Sequence, residues 1–344
     1  MTTETAPVLS SATMLSGTCL EPGRFALVER EVPQVAPPGH VLVDIAAVGI
    51  CGTDYHILEG KHPYLAYPRV IGHELSATVA EAAEGWAKGQ LVVINPYIAC
   101  GACRACRRGK PNCCQRIEVL GVHRDGGLCG RIAVPAGNLY AADGLSPIQA
   151  AMVEFLAIGA HAVRRSGLGP GDRVLVTGVG PIGLGAALFA RLAGAEVHLL
   201  DVSAERLALA TARFGFERTH LVGQPLLSGE LVDGFDAVFD ATGNARAIEA
   251  GFPLVAHGGS YVLVSVVRDA ITFEDPEFHK REMRLIGSRN ALKEDFDQVM
   301  EALRSGAVDS GALCSEVLDL AEFADRFAQL AQNRTTLIKA IVRP

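Results

Sequence analysis

The chain has 344 residues, of which 49% are hydrophobic and 20% are charged, so its composition excludes wholesale disorder and its length favours two domains. The formal net charge of −7 argues against nucleic acid as a partner, because the phosphate backbone attracts basic surfaces. With no apolar run of the roughly 18 residues that a membrane helix needs and no secretory signal, we expect a cytoplasmic protein, not bound to a membrane, that begins with a short mobile tail.

The first third of the sequence predicts short strands. Residues 41–50, 69–71 and 91–94 are apolar and rich in β-branched side chains, and proline and glycine punctuate the segments between them. This pattern favours an antiparallel, partly open barrel over a helical domain. Residues 147–165 then show the three- and four-residue spacing of apolar side chains that is typical of a helix.

From residue 173 onward, strands and helices alternate, which predicts βαβ units around a parallel sheet. Strands are expected at 173–177, 196–201, 219–222, 236–241, 260–264 and 284–287, with helices at 183–193, 204–213 and 245–254. Helices at 295–304 and 320–332 and a strand at 336–342 follow, and this strand is expected to return to the first domain. The fold class is therefore α/β, with a catalytic barrel domain of residues 1–155 and 295–344 and a doubly wound, parallel-sheet nucleotide-binding domain of residues 156–294.

A glycine-rich motif joins the strand at 173–177 to the next helix. It has the G-x-G-x-x-G pattern of dinucleotide-binding folds, formed by Gly178, Gly180, Pro181, Ile182 and Gly183. The glycines allow a tight turn, a close approach of the backbone to a pyrophosphate, and close packing of helix against strand. The N-terminus of the helix then offers N–H groups to the phosphates.

Asp201 follows Gly183 by 18 residues, close to the spacing of the acid that binds the ribose hydroxyls. Its carboxylate would repel a 2′-phosphate, so the sequence favours NAD over NADP. The alternative is that Asp201 is a turn residue or a helix cap. Arg206 lies one helical turn further on, either beside the adenine or in solvent. Thr242 and Val264 lie at the ends of two parallel strands, where a dinucleotide is expected to bind.

Four of the nine cysteines are closely spaced. Cys100, Cys103, Cys106 and Cys114 have the Cys-x2-Cys-x2-Cys-x7-Cys spacing of a closed tetrahedral zinc site. Because sulfur fills all four positions, this zinc is predicted to be structural. The odd cysteine total argues for a reducing compartment rather than a disulfide framework.

A second set of possible metal ligands comes from separate parts of the sequence. Cys51 follows one predicted strand, His73 and Glu74 follow another, and Glu154 lies in the helical segment at 147–165. Each of these residues alone has a structural alternative, such as a small buried thiol or a hydrogen-bonded histidine. Together they offer the sulfur, nitrogen and oxygen ligands of a catalytic zinc with an open fourth position.

The combination of Cys51-Gly-Thr-Asp-Tyr-His56, Gly72-His-Glu74, the four-cysteine loop and the glycine-rich motif resembles the zinc-dependent medium-chain alcohol and polyol dehydrogenases. The resemblance covers nearly the whole chain. It implies a GroES-like barrel that carries the zinc, a Rossmann domain that carries NAD, an active cleft between them, and a homodimer or homotetramer.

The resemblance also implies roles for individual residues. Cys51 and His73 would bind the catalytic zinc, and Glu74 and Glu154 would either bind it directly or hold its water. Thr53 would hydrogen-bond the substrate oxygen, and His56 would pass its proton to solvent. In place of the proline that polyol-type relatives carry after the second glutamate, this chain has Phe155, which is expected to alter the shape of the cleft.

Residues 275–282, 287–290, 158–165 and 121–123 resemble the subgroup of L-galactonate and L-gulonate 5-dehydrogenases. A sugar acid needs a cation for its carboxylate, and a guanidinium group fits best, so Arg289 is the candidate. The expected reaction moves a hydride from the C5 hydroxyl-bearing carbon of an L-aldonate to NAD.

Several alternatives to this function stay open. The substrate could be a neutral polyol or L-threonine, and the basic cluster could be a solvated face or contact the cofactor phosphates. A non-catalytic zinc- and nucleotide-binding scaffold or a zinc-free quinone reductase is less favoured, because Cys51, Thr53, His56 and His73 occur together.

Overall fold

The computed structural model describes residues 12–62, 65–83 and 85–344 of the chain. Most of the predicted N-terminal tail, residues 1–11, lies outside the described residues. The described part consists of sheets built from both ends of the chain and a parallel sheet built from its middle. None of its helices combines the length and the apolar character that crossing a membrane requires.

The strands fall into three stretches of the chain. The first stretch contains β1 (Thr13–Glu21), β2 (Arg24–Glu31), β3 (His40–Ile50), β4 (Arg69–Val70), β5 (Glu74–Val79), β6 (Leu91–Ile94), β7 (Tyr97–Ile98), β8 (Glu118–Val119), β9 (Arg131–Pro135) and β10 (Leu139–Ala141). The second contains β11 (Arg173–Thr177), β12 (Glu196–Asp201), β13 (Thr219–Leu221), β14 (Phe235–Asp240), β15 (Val255–Leu263) and β16 (Arg284–Gly287). The third contains β17 (Cys314–Asp319) and β18 (Lys339–Arg343).

β3 organises the sheet that will carry the site. One edge of this strand pairs with β5, and the other pairs with β9 along its first half and with β18 along its second half. The register sets Gly49 opposite Glu74 and Ile50 opposite Ala340. The end of β3 and the beginnings of β5 and β18 therefore meet, and the last strand returns to the first sheet as the sequence predicts.

The middle of the chain forms a six-stranded sheet in the order β13-β12-β11-β14-β15-β16. Every neighbouring pair in it is parallel, which confirms the predicted parallel sheet. Its central strands are apolar runs, because a parallel sheet is covered by helices on both faces. From β11 the chain adds β12 and β13 on one side of the sheet and then crosses to β14 on the other side of β11. A ligand is expected outside the carboxyl ends of the strands at such a reversal of strand order.

The helices connect and cover these strands. They are α1 (Gly52–Leu58), α2 (Arg104–Arg107), α3 (Pro147–Ala151), α4 (Val153–Ser166), α5 (Pro181–Leu192), α6 (Ala204–Phe214), α7 (Ala245–Gly251), α8 (Asp275–Lys280), α9 (Lys293–Arg304), α10 (Ser310–Leu313) and α11 (Leu320–Gln332). The single helix predicted over 147–165 is in fact two, because the chain turns at Met152, where ψ is −7°. This break places Glu154 in the first turn of α4.

The domain limits proposed from the sequence stay a prediction. The limit between residues 155 and 156 falls inside α4, which is continuous from Val153 to Ser166. The limit between 294 and 295 falls inside α9. Buried residues of α4, α5 and α9 share one hydrophobic cluster with residues of the first sheet, such as Ala47 and Val93. The two helices that the proposed limits divide, α4 and α9, thus pack at the junction of the two sheets.

Candidate active site

Three of the four predicted ligands of the catalytic zinc converge where β3 ends and β5 begins. The ligand atoms of Cys51, His73 and Glu74 all lie within 4.8 Å of one another. Nδ1 of His73 and Oε2 of Glu74 are buried and have no hydrogen-bond partner within the described residues. Buried polar atoms in proteins nearly always have a partner, so an unsatisfied nitrogen and oxygen beside a thiol fit a bound metal ion.

The electrostatics of this cluster favour a positive charge. Burial opposes protonation of His73, but the neighbouring Asp54 and Cys51 outweigh it and raise the pKa of His73 well above its usual value. The negative charges that favour protonation of this buried imidazole would equally favour a bound divalent cation. The geometry and the charge therefore agree with the predicted zinc.

Glu154, the fourth predicted ligand, has a different partner. Its carboxylate lies outside the group of three and accepts a hydrogen bond from the hydroxyl of Tyr97 in β7. Burial raises the pKa of Glu154 to about 7, and the nearby Glu74 acts in the same direction. The structure thus groups Glu74 with Cys51 and His73, and it holds Glu154 on a tyrosine that the sequence analysis did not select.

A buried lysine, also missed by the sequence analysis, completes the site. Nζ of Lys339, the first residue of β18, donates to Oε1 of Glu74 at 2.7 Å and to the carbonyl oxygen of Ile50 at 3.2 Å. The same ammonium lies 4.3 Å from the centroid of the Phe155 ring. Phe155 is fully buried and contacts the lysine that binds Glu74, and its expected effect on the shape of the cleft stays a prediction.

Asp54 fixes the two segments that carry the ligands. Its carboxylate is fully buried and accepts from the backbone N–H groups of Cys51 at 2.9 Å and of Gly72 at 3.2 Å. One side chain therefore holds the residue that follows β3 and the residue that precedes His73. The sequence analysis did not select Asp54, because its bond to Gly72 depends on the fold.

Thr53 and His56 lie on α1, directly after Cys51. The hydroxyl oxygen of Thr53 is 3.9 Å from the sulfur of Cys51, whereas His56 is exposed. Burial of part of the ring lowers the pKa of His56, and the charge of Arg334 acts in the same direction. The helix thus carries one hydroxyl close to the metal ligands and one imidazole open to solvent.

The four-cysteine loop lies between β7 and β8, which pair as an antiparallel ribbon. The four sulfur atoms lie within 4.8 Å of one another, and the sulfur of Cys103 is 3.4 Å from that of Cys106. The backbone N–H groups of Cys100 and Arg116 donate to the sulfur of Cys114 at 3.3 Å. Closely packed thiols that receive N–H donors fit a closed thiolate site for zinc.

A cavity of about 540 Å³ opens at the carboxyl ends of the parallel strands. Of the residues predicted to bind the cofactor, it is lined by Gly178, Gly180, Asp201, Arg206 and Thr242. The other predicted residues lie outside this lining: Pro181, Ile182 and Gly183 form the first turn of α5, and Val264 follows β15. The glycine-rich motif therefore borders the expected nucleotide cavity.

Three residues of this region show why the sequence has its pattern. Gly178 has φ +86°, and a Cβ added at Gly183 would lie 1.8 Å from the carbonyl oxygen of Gly178, so a side chain at Gly183 has no room. The buried carboxylate of Asp201 accepts from the N–H of Val179 at 2.6 Å and of Ser203 at 2.8 Å. Asp201 is therefore both the turn residue of the alternative interpretation and part of the cavity.

Arg289 lies in the segment after β16, with its side chain exposed. Burial lowers the pKa of His123, and the charge of Arg289 acts in the same direction, so the two side chains are electrostatic neighbours. Burial also lowers the pKa of His62, and the charges of His123 and His73 lower it further. The charges of Arg289 and His73 therefore act on the imidazoles of His123 and His62, respectively.

The chain matches two models of known protein families. Residues 37–144 match the alcohol dehydrogenase GroES-like domain, and residues 181–305 match the zinc-binding dehydrogenase domain. Together these ranges cover more than half of the chain.

Individual proteins are similar over almost their whole length. L-galactonate-5-dehydrogenase of Escherichia coli K12 is 38% identical over 94% of this chain and 97% of that protein. D-altritol 5-dehydrogenase of Agrobacterium fabrum is 34% identical over 92% of this chain and 96% of that protein. The crystal structure of an alcohol dehydrogenase from Escherichia coli CFT073, complexed with NADH, matches with a TM-score of 0.89 at 28% identity and covers 96% of this chain and 99% of that one.

These matches confirm the predicted α/β fold, with its GroES-like and Rossmann-type parts, and the resemblance to sugar-acid and polyol enzymes. They also support the predicted enzyme over the less favoured non-catalytic scaffold, since these relatives are named dehydrogenases. The chain belongs to the family of zinc-binding alcohol dehydrogenases with a GroES-like domain.

Proposed function

We propose that this dehydrogenase is zinc- and NAD-dependent and oxidises a secondary hydroxyl group of a sugar acid, at C5 of an L-aldonate. The convergence of Cys51, His73 and Glu74 within 4.8 Å carries the catalytic part of the proposal. The similarity to an L-galactonate-5-dehydrogenase and the exposed Arg289 support the substrate.

The residues would divide the work as follows. Cys51, His73 and Glu74 would hold the catalytic zinc, and Cys100, Cys103, Cys106 and Cys114 would hold the structural one. When bound, the catalytic zinc supplies a Lewis acid that lowers the pKa of the substrate alcohol. Lys339 keeps Glu74 in place, and Tyr97 keeps Glu154 beside the cluster.

Thr53 and His56 would handle the proton. The Thr53 hydroxyl would accept the proton of the substrate hydroxyl while it passes its own hydrogen outward, and the exposed imidazole of His56, on the same helix, would receive that proton and release it to solvent. Proton transfer by a positioned side chain is worth about 10²–10⁴-fold in rate. The residues at the carboxyl ends of the parallel strands would hold the dinucleotide, whose nicotinamide would accept the hydride of the C–H bond.

NAD is favoured over NADP at the nucleotide cavity. Asp201 is 4% exposed, and its carboxylate lines the cavity where the ribose is expected. A 2′-phosphate there would put a second anion against a buried carboxylate, which is unfavourable.

Arg289 is the proposed partner of the substrate carboxylate, and a substrate panel tests this. We would follow NADH formation by absorbance with L-galactonate, L-gulonate, sorbitol, D-altritol and L-threonine, for the zinc-loaded wild type, Arg289→Ala and, as a control, Arg284→Ala. A lost charged hydrogen bond costs about 1.5–3 kcal/mol, so Arg289→Ala should raise KM for the acids about 10- to 150-fold and leave KM for sorbitol unchanged.

Turnover of the polyols alone would favour the second candidate function, a polyol dehydrogenase. The similarity to D-altritol 5-dehydrogenase supports this candidate. Equal effects of Arg289→Ala and Arg284→Ala on the acids would remove Arg289 from the substrate site.

A homodimer or homotetramer in the cytoplasm is the proposed state. β16 forms one edge of the parallel sheet, and its Leu285 is 41% exposed. An exposed edge strand readily pairs with another chain. The cysteines of the described residues are all unpaired, in keeping with a reducing compartment. Light scattering of wild type and Leu285→Lys would test the assembly: a monomer in both cases would contradict it.

A further inference from the structure

A buried polar link joins the four-cysteine loop to the segment that carries Arg289. Asn112 lies in a 3-10 helix, Pro111–Cys113, inside the four-cysteine loop, and it is 5% exposed. Its Nδ2 donates to the carbonyl oxygen of Arg289 at 2.9 Å. In return, Nδ2 of Asn290 donates to the carbonyl oxygen of Asn112 at 3.3 Å. Two hydrogen bonds therefore hold the Arg289 segment on the loop.

The conformation of this segment needs such support. Asn290 has φ +53°, in the left-handed region that residues other than glycine seldom adopt. A backbone in this region persists where its surroundings hold it. The side chain of Asn290 is the one bonded to Asn112, so the link acts at the residue with the unusual backbone.

The orientation of the Asn112 amide is itself fixed from the other side. Nδ1 of His161 lies 2.8 Å from Oδ2 of the fully buried Asp295, and Nε of Arg164 donates to Oδ1 of Asp295 at 2.7 Å. Nη2 of Arg164 also lies 3.1 Å from Nδ1 of His161, but it donates to Oδ2 of Asp295 at 3.0 Å. Because the carboxylate of Asp295 can only accept, Nδ1 of His161 carries the hydrogen and Nε2 is free to accept. That Nε2 lies 3.3 Å from Nδ2 of Asn112.

Both hydrogens of the Asn112 amide thus have an acceptor, one on His161 and one on Arg289. His161 and Arg164 belong to the part of α4 that resembles the sugar-acid subgroup and to which the proposed reaction assigns no role. Asp295 also accepts from the N–H of Leu292 at 2.8 Å, which fixes the chain three residues beyond Arg289. The network therefore fixes the backbone of this segment at three points, Arg289, Asn290 and Leu292.

We propose that Asn112 is a positioning residue, through which the four-cysteine loop sets the place of Arg289 and hence the affinity for an anionic substrate. This inference rests on the proposed role of Arg289 as the partner of the substrate carboxylate. It gives the loop around the structural zinc a part in substrate affinity, in addition to its part in stability.

The test compares Asn112→Asp with Asn95→Asp, both as zinc-loaded enzymes. Asn112→Asp replaces both donors by acceptors that face the Arg289 carbonyl oxygen and the His161 nitrogen. In Asn95 the same exchange removes a donor to the hydroxyl of Tyr140 and leaves the Arg289 segment untouched. Should Asn112→Asp fail to fold, Asn290→Gly is the second variant. It removes the hydrogen bond from the half-buried Asn290 to the carbonyl oxygen of Asn112, and glycine adopts the positive φ of this position without strain.

Two readouts are measured. Hydrogen exchange of the amides of residues 288–292 should be about 10-fold faster or more in Asn112→Asp or Asn290→Gly than in wild type and Asn95→Asp, because a local opening loses its restraint. KM for L-galactonate should rise about 10-fold, with kcat within about threefold of wild type and KM for sorbitol unchanged. Arg289→Ala should reproduce the change in KM without the change in exchange.

The outcomes separate this inference from the proposed function. If Arg289→Ala raises KM for L-galactonate while Asn112→Asp and Asn290→Gly leave it at the wild-type value, the positioning role is wrong and the carboxylate site stands. If Arg289→Ala has no effect on the acid, the proposed carboxylate site fails and the inference fails with it. Unchanged exchange of residues 288–292 in the Asn112 variant overturns the link itself.

Discussion

Replacing Lys339 by methionine should make the stability of the enzyme depend strongly on bound zinc. Lys339 is 1% exposed and its partner Glu74 is fully buried, with 2.7 Å between Nζ and Oε1. Burial opposes the charge of Lys339, but Glu74 outweighs it and raises the pKa of the ammonium. Lys339→Met would therefore leave a buried carboxylate without its cation.

The size of the effect follows from that uncompensated charge. Removing one partner of a buried ion pair costs about 3–5 kcal/mol, and the cation–π contact with Phe155 adds about 2 kcal/mol when it is desolvated. In the zinc-loaded enzyme, the same carboxylate would bind the proposed metal ion, whose charge would compensate part of the loss. We therefore expect the free energy of unfolding to fall by several kcal/mol in the zinc-free variant and by clearly less in the zinc-loaded one.

The assay is urea unfolding of the wild type, Lys339→Met and the double variant Glu74→Gln/Lys339→Met, each with and without zinc. The neutral double variant should recover most of the loss in the zinc-free state, because no buried charge remains unpaired. Phe155→Leu separates the aromatic contact from the ion pair. An equal loss with and without zinc would refute the reasoning, since the carboxylate would then not face the metal.

Three further predictions concern other parts of the molecule. Asp201→Asn keeps a hydrogen-bond acceptor but removes the charge, so the ratio of kcat/KM for NADP to that for NAD should rise about 10-fold or more; an unchanged ratio in steady-state kinetics would contradict the proposed cofactor choice. Gly183→Ala should weaken NADH binding and lower Tm, because overpacking reduces the free energy of unfolding by about 1–3 kcal/mol. Fluorescence titration and calorimetry measure these changes, and the control Gly169→Ala, where a Cβ meets open space, should change neither. Burial lowers the pKa of His198 below its usual 6.5, so the unfolded chain binds the proton more tightly and the free energy of unfolding should fall as pH decreases below about 6.5; His198→Gln should flatten that fall in urea titrations between pH 7 and 5, and identical slopes would show that His198 does not contribute.

The features that the sequence predicts correctly are those carried by short stretches of chain. The four-cysteine spacing and the glycine-rich motif each occupy fewer than twenty residues, and the local geometry of a loop or a strand–helix turn fixes them. The alternation of apolar strands and helices from residue 173 is local as well. These signals are strong because neighbouring residues meet whatever the rest of the fold does.

The features that the sequence analysis missed depend on long-range register. Lys339 and Glu74 are 265 residues apart in sequence, and they meet only because β18 and β5 pair with opposite edges of β3. Tyr97 of β7 reaches Glu154 of α4 across 57 residues, a contact between a strand and a helix that no local pattern predicts. The break at Met152 was missed because no glycine or proline marks it, and the packing of α3 and α4 on different neighbours decides it.

The place of β18 has a consequence for how the protein is made. A ribosome delivers the parallel sheet and its helices well before residues 339–343 emerge, since chains fold from the N-terminal side during synthesis. Until then the second half of one edge of β3 is unpaired and Glu74 has no lysine. The surroundings of Glu74 are thus completed late, although all three proposed metal ligands, Cys51, His73 and Glu74, are synthesised among the first 75 residues, and the nascent chain exposes an open edge of β3 until β18 emerges.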